Sequence, residues 1–141
     1  MIVNRQRRIS VAVRPLEEFC ERASRALRFP SDAVAIQFIS DSAMARLNQT
    51  FRHKRGPTDV LSFSANGSGA SNAGHRQYMG DIAISLETAR RNARLYERSL
   101  PDELRVLILH GMIHLAGYDH ETDAGEMNRL ERRLRARLGV K

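Results

Sequence analysis

The chain has 141 residues, 42% of them hydrophobic, and its 23 basic and 16 acidic side chains give a formal net charge of +7. This length predicts one domain spanning residues 1–141, which can fold without disulfides, and the one cysteine, Cys20, excludes an intrachain disulfide. No run approaches the roughly 20 apolar residues of a membrane span, and the N-terminus lacks a signal-peptide core, so we expect a cytoplasmic protein with no membrane association.

Arginine dominates the basic residues: 21 of the 23 are arginine, and only Lys54 and Lys141 are lysine. The planar guanidinium fork matches phosphate oxygens. A small, strongly basic domain is therefore a candidate for nucleic-acid binding. A GC-rich genome that encodes arginine by default would give the same excess, so composition leaves both explanations open.

The first third of the chain predicts a strand, a helix, a second strand and a short helix. Residues 9–13 alternate and indicate an N-terminal strand, although Ile2 and Val3 also fit it. Pro15 suits the first turn of a helix whose apolar stripe contains Leu16, Phe19, Cys20, Ala23 and Leu27. Residues 33–39 indicate a strand. Ser40 or Asp41 can then cap a helix with Met44 and Leu47 on its apolar side.

The middle of the chain predicts two paired strands. A polar, basic segment covers residues 52–58 and includes the turn signal Gly56-Pro57. Residues 59–63 and 80–85 indicate strands. The serine-, asparagine- and glycine-rich stretch 64–79 between them indicates a flexible loop, which allows antiparallel pairing.

The last third is predicted to be helical. Residues 86–98 place Arg90, Arg94 and Arg98 on one face. Pro101 opens a helix that is apolar nearly all round and should be buried at the centre of the fold. Gly117 is placed to end it, and residues 123–138 indicate a last helix. The sequence thus predicts an α+β fold, in which a mixed or antiparallel sheet of about four strands packs on a buried central helix.

Three histidines in this region indicate a metal site. His110 and His114, at positions i and i+4 of the central helix, can point two imidazoles at one ion. Gly117 can adopt positive φ and turn the chain so that His120 approaches from another side. Three nitrogens leave one tetrahedral position for water, as in catalytic zinc sites. We therefore predict one Zn²⁺ bound by His110, His114 and His120, although three imidazoles also suit Ni²⁺ or Cu²⁺. His53 and His75 are predicted to lie in loops and not to be ligands.

The spacing resembles the metzincin protease pattern HExxHxxGxxH, and the predicted site is zincin-like. Gly111 stands where those enzymes carry the glutamate that acts as general base. A peptidase would lack its proton acceptor here, whereas the metal can still activate water and polarise a substrate oxygen.

The extended motif identifies a family. The pattern His110-Gly-x-x-His114-Leu-x-Gly117-Tyr118-Asp119-His120 resembles the signature of the YbeY family of bacterial rRNA-maturation endoribonucleases. Phe51-Arg52, the run from Pro57 to Phe63, and Gly80-Asp81-Ile82-Ala83-Ile84 resemble further segments of that family. Together these regions cover most of residues 44–131. The histidine signature is specific, whereas the N-terminal part is not.

The resemblance implies a zinc-dependent, single-strand-directed endoribonuclease that acts in 16S rRNA 3′-end maturation and ribosome quality control. It assigns the metal to His110, His114 and His120 and the catalytic arginine to Arg52. It implies RNA of the small ribosomal subunit as substrate, with a ribosomal protein and an Era-type GTPase as partners. The chain departs from the family near Arg52: His53 replaces a usual glycine, Arg55 a frequent aspartate and Ser64 a frequent proline.

Several assignments remain open from the sequence. The general base is not identified. Asp119 or Glu121 could orient a histidine or water, and Asp81 could be structural. The alternatives to a nuclease are a metallopeptidase with another base, and a non-catalytic, zinc-stabilised ribosome assembly factor in which Cys20 supplies a fourth ligand.

Overall fold

A computed structural model describes residues 1–30, 32–65, 78–118 and 124–140 and confirms an α+β fold. In these ranges the chain forms four strands and five helices: β1 Ile2–Asn4, α1 Val13–Ala26, β2 Val34–Ile39, α2 Asp41–Arg52, β3 Val60–Ser64, β4 Gly80–Ser85, α3 Leu86–Leu95, α4 Leu100–Leu115 and α5 Glu126–Leu138. None of these helices combines the length and apolarity needed to cross a bilayer.

The four strands form one mixed sheet in the order β1-β2-β4-β3. β2 pairs in parallel with β1 and β4, whereas β3 pairs antiparallel with β4, with Ser62 opposite Ile82. The predicted antiparallel pairing is therefore confirmed. The stretch 64–79 that was predicted to be a loop lies mostly outside the described residues. The order leaves β3 at one edge of the sheet, beside the cleft described below.

Helix α4 is the centre of the larger core, as its apolar sequence predicts. Its buried side chains pack among α1, α3, α5 and one face of the sheet, whose inward residues are Ile36, Phe38, Ile82 and Ile84. Full burial of each large aliphatic side chain contributes roughly 1.5–3 kcal/mol. Helix α2 packs on the opposite face, where Met44 joins Ile39, Leu61 and Ala83 in a smaller core. The helix that carries His110 and His114 is thus held on several sides.

The prediction of a strand at residues 9–13 is wrong. The N-terminal strand is Ile2–Asn4, and Val13 already belongs to α1. The side chain of Gln6 accepts a hydrogen bond from the Ile9 N–H at 2.9 Å and donates one to the Ile9 carbonyl at 2.8 Å. These bonds satisfy backbone groups that a neighbouring strand would otherwise serve. Ile9 is buried, so its apolar character reflects core packing rather than strand pairing.

Two predicted helices are shorter than expected. Helix α3 ends at Leu95, and Glu97 has a left-handed φ of 55°. Arg98 therefore lies beyond the helix and pairs with Glu103 at 3.3 Å instead of extending the face of Arg90 and Arg94. Helix α5 begins at Glu126 rather than at residue 123, which lies outside the described residues.

Candidate metal centre and substrate cleft

His110 and His114 converge as their spacing predicts. Their Nε2 atoms are 3.2 Å apart, and their ring centroids are 4.7 Å apart with planes inclined by 77°. Two nitrogens bound tetrahedrally to one Zn²⁺ at about 2.0–2.1 Å would lie roughly 3.3 Å apart. The pair therefore has the donor atoms and the separation that a shared metal ion requires.

Helix α5 supplies a contact that the sequence did not reveal. Nδ1 of His110 lies 2.9 Å from Oε1 of Glu131, whose side chain is largely buried. An ionised carboxylate accepts hydrogen bonds, so Glu131 favours the His110 tautomer with its hydrogen on Nδ1, in which Nε2 can bind a metal. One signal was available: Glu131 follows the inward-facing Met127 by four residues and so shares its helix face.

The third predicted ligand, His120, lies outside the described residues, as do His75, Asp119 and Glu121. Within the described ranges no group of three metal-binding side chains is present. Gly117 does take the predicted left-handed conformation, with φ of 102°, directly after the turn that ends α4. The predicted positive φ of Gly117 is therefore confirmed, whereas the assignment of His120 as a ligand stays a prediction.

The histidines line a cleft of about 1300 Å³ that also contains Arg52. One wall is the edge strand β3 with the residues before it, and another is the C-terminal end of α4 with the segment to Tyr118. Ser62 of this wall donates a hydrogen bond to the Gly111 carbonyl at 3.3 Å and so ties β3 to α4.

Arg52 is the last residue of α2, and its exposed side chain lines the cleft. Among the described residues its guanidinium has neither an ion-pair partner nor a hydrogen-bond partner. His53 follows as the C-cap, with φ of 56°. The family resemblance expects glycine at this position, and the positive φ of His53 is a conformation that favours glycine at the end of a helix. Lys54 and Arg55 are also exposed.

The structure does not bring Cys20 to His110 or His114. Cys20 lines a separate cavity beside Met1 and Met112, on the side of α4 opposite His110 and His114. Burial raises the pKa of its thiol to about 12, which disfavours the thiolate that binds metals. Its placement agrees with the predicted core role.

Asp81 lies on β4 and accepts a hydrogen bond from the Tyr78 hydroxyl. Burial and this bond raise the pKa of Tyr78. The contact connects β4 to Tyr78, just before the strand begins, which agrees with a structural role for Asp81.

Comparison with known proteins gives one consistent family. The family model described as "Endoribonuclease YbeY" matches residues 1–139. A protein of that name from Koribacter versatilis is 41% identical over 138 residues, which cover 98% of this chain and 85% of the relative. Another from Solibacter usitatus is 46% identical over 100 residues, which cover 71% of this chain but only 62% of the relative.

A solved structure agrees. The solution structure of a Thermotoga maritima protein superimposes with a TM-score of 0.63 at 27% identity, covering 98% of this chain and 89% of that one. With the family match over nearly the whole sequence, this likeness supports one conclusion. The chain belongs to the YbeY family of endoribonucleases.

Proposed function

We propose that this protein is a zinc-dependent, single-strand-directed endoribonuclease. The observation that carries the proposal is the convergence of the two imidazole Nε2 atoms, 3.2 Å apart, in the cleft that also holds Arg52. Membership of a family named for endoribonuclease activity supports RNA as the substrate.

The proposed metal site comprises His110, His114 and His120. When bound, one Zn²⁺ supplies a Lewis acid and lowers the pKa of a coordinated water. Glu131 holds the His110 ring through Nδ1 and fixes the tautomer that presents Nε2. Such carboxylates raise the basicity of a histidine ligand and fix its orientation. Glu131 is therefore a positioning residue in this proposal.

Arg52 is the proposed catalytic residue. Phosphodiester cleavage builds negative charge on the non-bridging phosphate oxygens, and a guanidinium placed beside them stabilises that charge. Arg52 suits this task because it lines the histidine cleft and, among the described residues, its guanidinium is not engaged by another side chain. Lys54 and Arg55, exposed just beyond it, would hold neighbouring phosphates.

The biological setting follows from the family resemblance. We propose that the substrate is precursor rRNA of the small ribosomal subunit, with cleavage at the 16S 3′ end and a role in ribosome quality control in the cytoplasm. A ribosomal protein and an Era-type GTPase are the proposed partners. The basic surface of the chain, with a formal net charge of +7, is compatible with binding to an RNA-rich particle.

A comparison of RNA with casein tests the reaction class. Metal-loaded protein, freed of contaminating nucleases, should cut single-stranded RNA in preference to perfect duplex and leave casein intact. His114→Ala should lose most of its zinc and its cleavage, because the ion joins α4 to the segment after it. Casein hydrolysis that disappears in His114→Ala, with RNA left intact, would establish the peptidase instead. Equal zinc content in both proteins would refute the ligand assignment.

A further inference from the structure

Phe51 is an exposed aromatic ring beside Arg52 in the cleft. Its side chain is 61% exposed at the C-terminal end of α2. Single exposed apolar residues are common and need no explanation. The position of this one is informative, because an aromatic face next to a phosphate-binding arginine has the chemistry that single-stranded nucleic acid requires.

The ring is held in place by a second aromatic residue. Phe63 of β3 contacts Phe51 edge to face, with centroids 5.3 Å apart and planes inclined by 70°. Phe63 itself packs against the smaller core under α2. This contact restrains the Phe51 ring while most of its side chain stays exposed. Ordering the ring in advance lowers the entropic cost of binding a planar partner.

Few exposed aromatic residues share this location. Among the residues that the structure describes, the exposed large hydrophobic side chains are Met1, Val3, Phe51, Leu95, Tyr96 and Tyr118. Only Phe51 and Tyr118 of these line the histidine cleft. Tyr96, which is 56% exposed, lies beside Arg98 after α3 and outside the cleft. The chain thus contains a matched aromatic residue for comparison.

We infer that Phe51 stacks on an unpaired nucleobase of the RNA whose neighbouring phosphate contacts Arg52. The inference rests on the proposed nuclease function and adds a substrate-binding residue to it. Charge complementarity identifies the occupant: Arg52 lines the same cleft, and the exposed Lys54 and Arg55 follow it in the chain, so this end of α2 carries positive charge that attracts a polyanion. A paired base has both faces covered by its neighbours, so this contact also accounts for a preference for single strands.

Phe51→Leu and Phe51→Trp test the inference against Tyr96→Leu as control. Loss of one base stack weakens binding by roughly 5- to 150-fold. Phe51→Leu should therefore raise KM for single-stranded RNA by that factor and leave kcat and zinc content nearly unchanged. Phe51→Trp should restore KM, and Tyr96→Leu should match the unsubstituted protein. A KM for Phe51→Leu within about twofold of the unsubstituted value would overturn the inference.

RNA substrates with one abasic nucleotide separate stacking from a structural effect. One position of the RNA should be the stacking position. Removing its base should weaken binding to the unsubstituted protein but should weaken binding to Phe51→Leu little further, because the stacking contact is already lost there. Additive losses at every position would contradict stacking. Dissociation constants for RNA, measured with chelator present, test stacking without any cleavage. If the protein binds RNA but does not cut it, the nuclease proposal fails, and these constants still show whether Phe51 stacks on a base. A Phe51→Leu defect seen only with a ribosomal protein, and not with RNA, would instead assign the ring to a protein contact.

Discussion

Arg52 and the histidines make separable contributions in the proposed site. Arg52→Ala should keep zinc and the fold but lower RNA cleavage by about 10²–10³-fold, the usual cost of one donor to a developing charge. Arg46→Ala is a suitable control, because Arg46 is exposed on the same helix but does not line the cleft. Zinc analysis and initial rates decide the result. Lost zinc or unchanged cleavage would show that Arg52 has another role.

Glu131 gives a second prediction at the level of one side chain. Glu131→Gln removes the charge that holds the His110 Nδ1–H, at 2.9 Å. Removal of such a partner weakens metal affinity about 10- to 100-fold. We expect this loss in a competitive zinc titration, with Glu18→Gln as the control, since Glu18 is exposed on α1 and pairs with Arg14. Equal zinc affinities in the two variants would rule out a positioning role.

Sequence reasoning located the main side chains of the site but not their supports. The His110–His114 spacing fixes a shared helix face, so their convergence was predictable. Glu131 was not, because its contact joins two helices and depends on how α5 packs against α4. Arg52 came from the family resemblance alone. Its place at the end of α2 was missed, since the sequence around residues 52–58 indicates only a polar segment.

His53 sets the end of helix α2 beside the site. A non-glycine residue with φ of 56° is strained by roughly 1–2 kcal/mol. Glycine removes this strain, but its more flexible unfolded state offsets part of the gain. His53→Gly should therefore stabilise the protein by about 0.5–1 kcal/mol and raise Tm by a few degrees. Thermal unfolding of this variant checks the prediction. A lower Tm would indicate that the imidazole makes a contact that outweighs the strain.

Asp41 links three elements and predicts a pH dependence. Burial raises the pKa of its carboxyl, but hydrogen bonds from Ser85, Thr88 and Arg91 outweigh burial and lower it below 3.8. A depressed pKa stabilises the fold above the ordinary value, and this stabilisation is lost as pH falls through the folded-state pKa. Asp41→Asn should cost about 2 kcal/mol at pH 7 and progressively less towards pH 3.

Urea unfolding between pH 7 and about pH 3 measures the free energy of unfolding of Asp41→Asn and of the unsubstituted protein. Asp102→Asn is the control, because Asp102 also lies in the first turn of a helix and pairs with the neighbouring Arg105 at 3.0 Å. If the two proteins differ in free energy of unfolding by the same amount at every pH, the lowered pKa of Asp41 is contradicted.

Element boundaries show where local sequence is sufficient. Helix α4 and the β3–β4 pair were predicted, because an apolar helix and two strands joined by a polar stretch are encoded locally. The N-terminal strand was misplaced because its partner, β2, lies 34 residues away in the chain: Ile2 pairs with Ile36. Alternation alone cannot distinguish such a strand from a core-facing segment like that around Ile9.

The whole molecule is strongly basic, which predicts how RNA binding depends on salt. Each phosphate neutralised on a single strand contributes about −0.7 to the slope of log affinity against log salt. Several contacts should give a slope of roughly −2 to −4. Chelator should abolish cleavage but leave much of this binding, since the arginine surface does not depend on the metal. Fluorescence anisotropy at several salt concentrations measures the slope. A slope near zero would show that the basic side chains do not contribute to RNA affinity through phosphate contacts.

Gly111 limits which side chains this position of α4 can accommodate. A Cβ at Gly111 would lie 2.9 Å from Cδ1 and 3.2 Å from Cγ1 and Cγ2 of Ile82, a fully buried residue of β4. A glutamate there would have to enter this packed interface, and burying its charge would add a large desolvation cost. In this chain the one-residue exchange that would recreate the protease motif therefore costs stability unless Ile82 moves out of its packed position. A glutamate at position 111 would need additional room at position 82, so the motif glutamate cannot be introduced here by one substitution without a cost in packing.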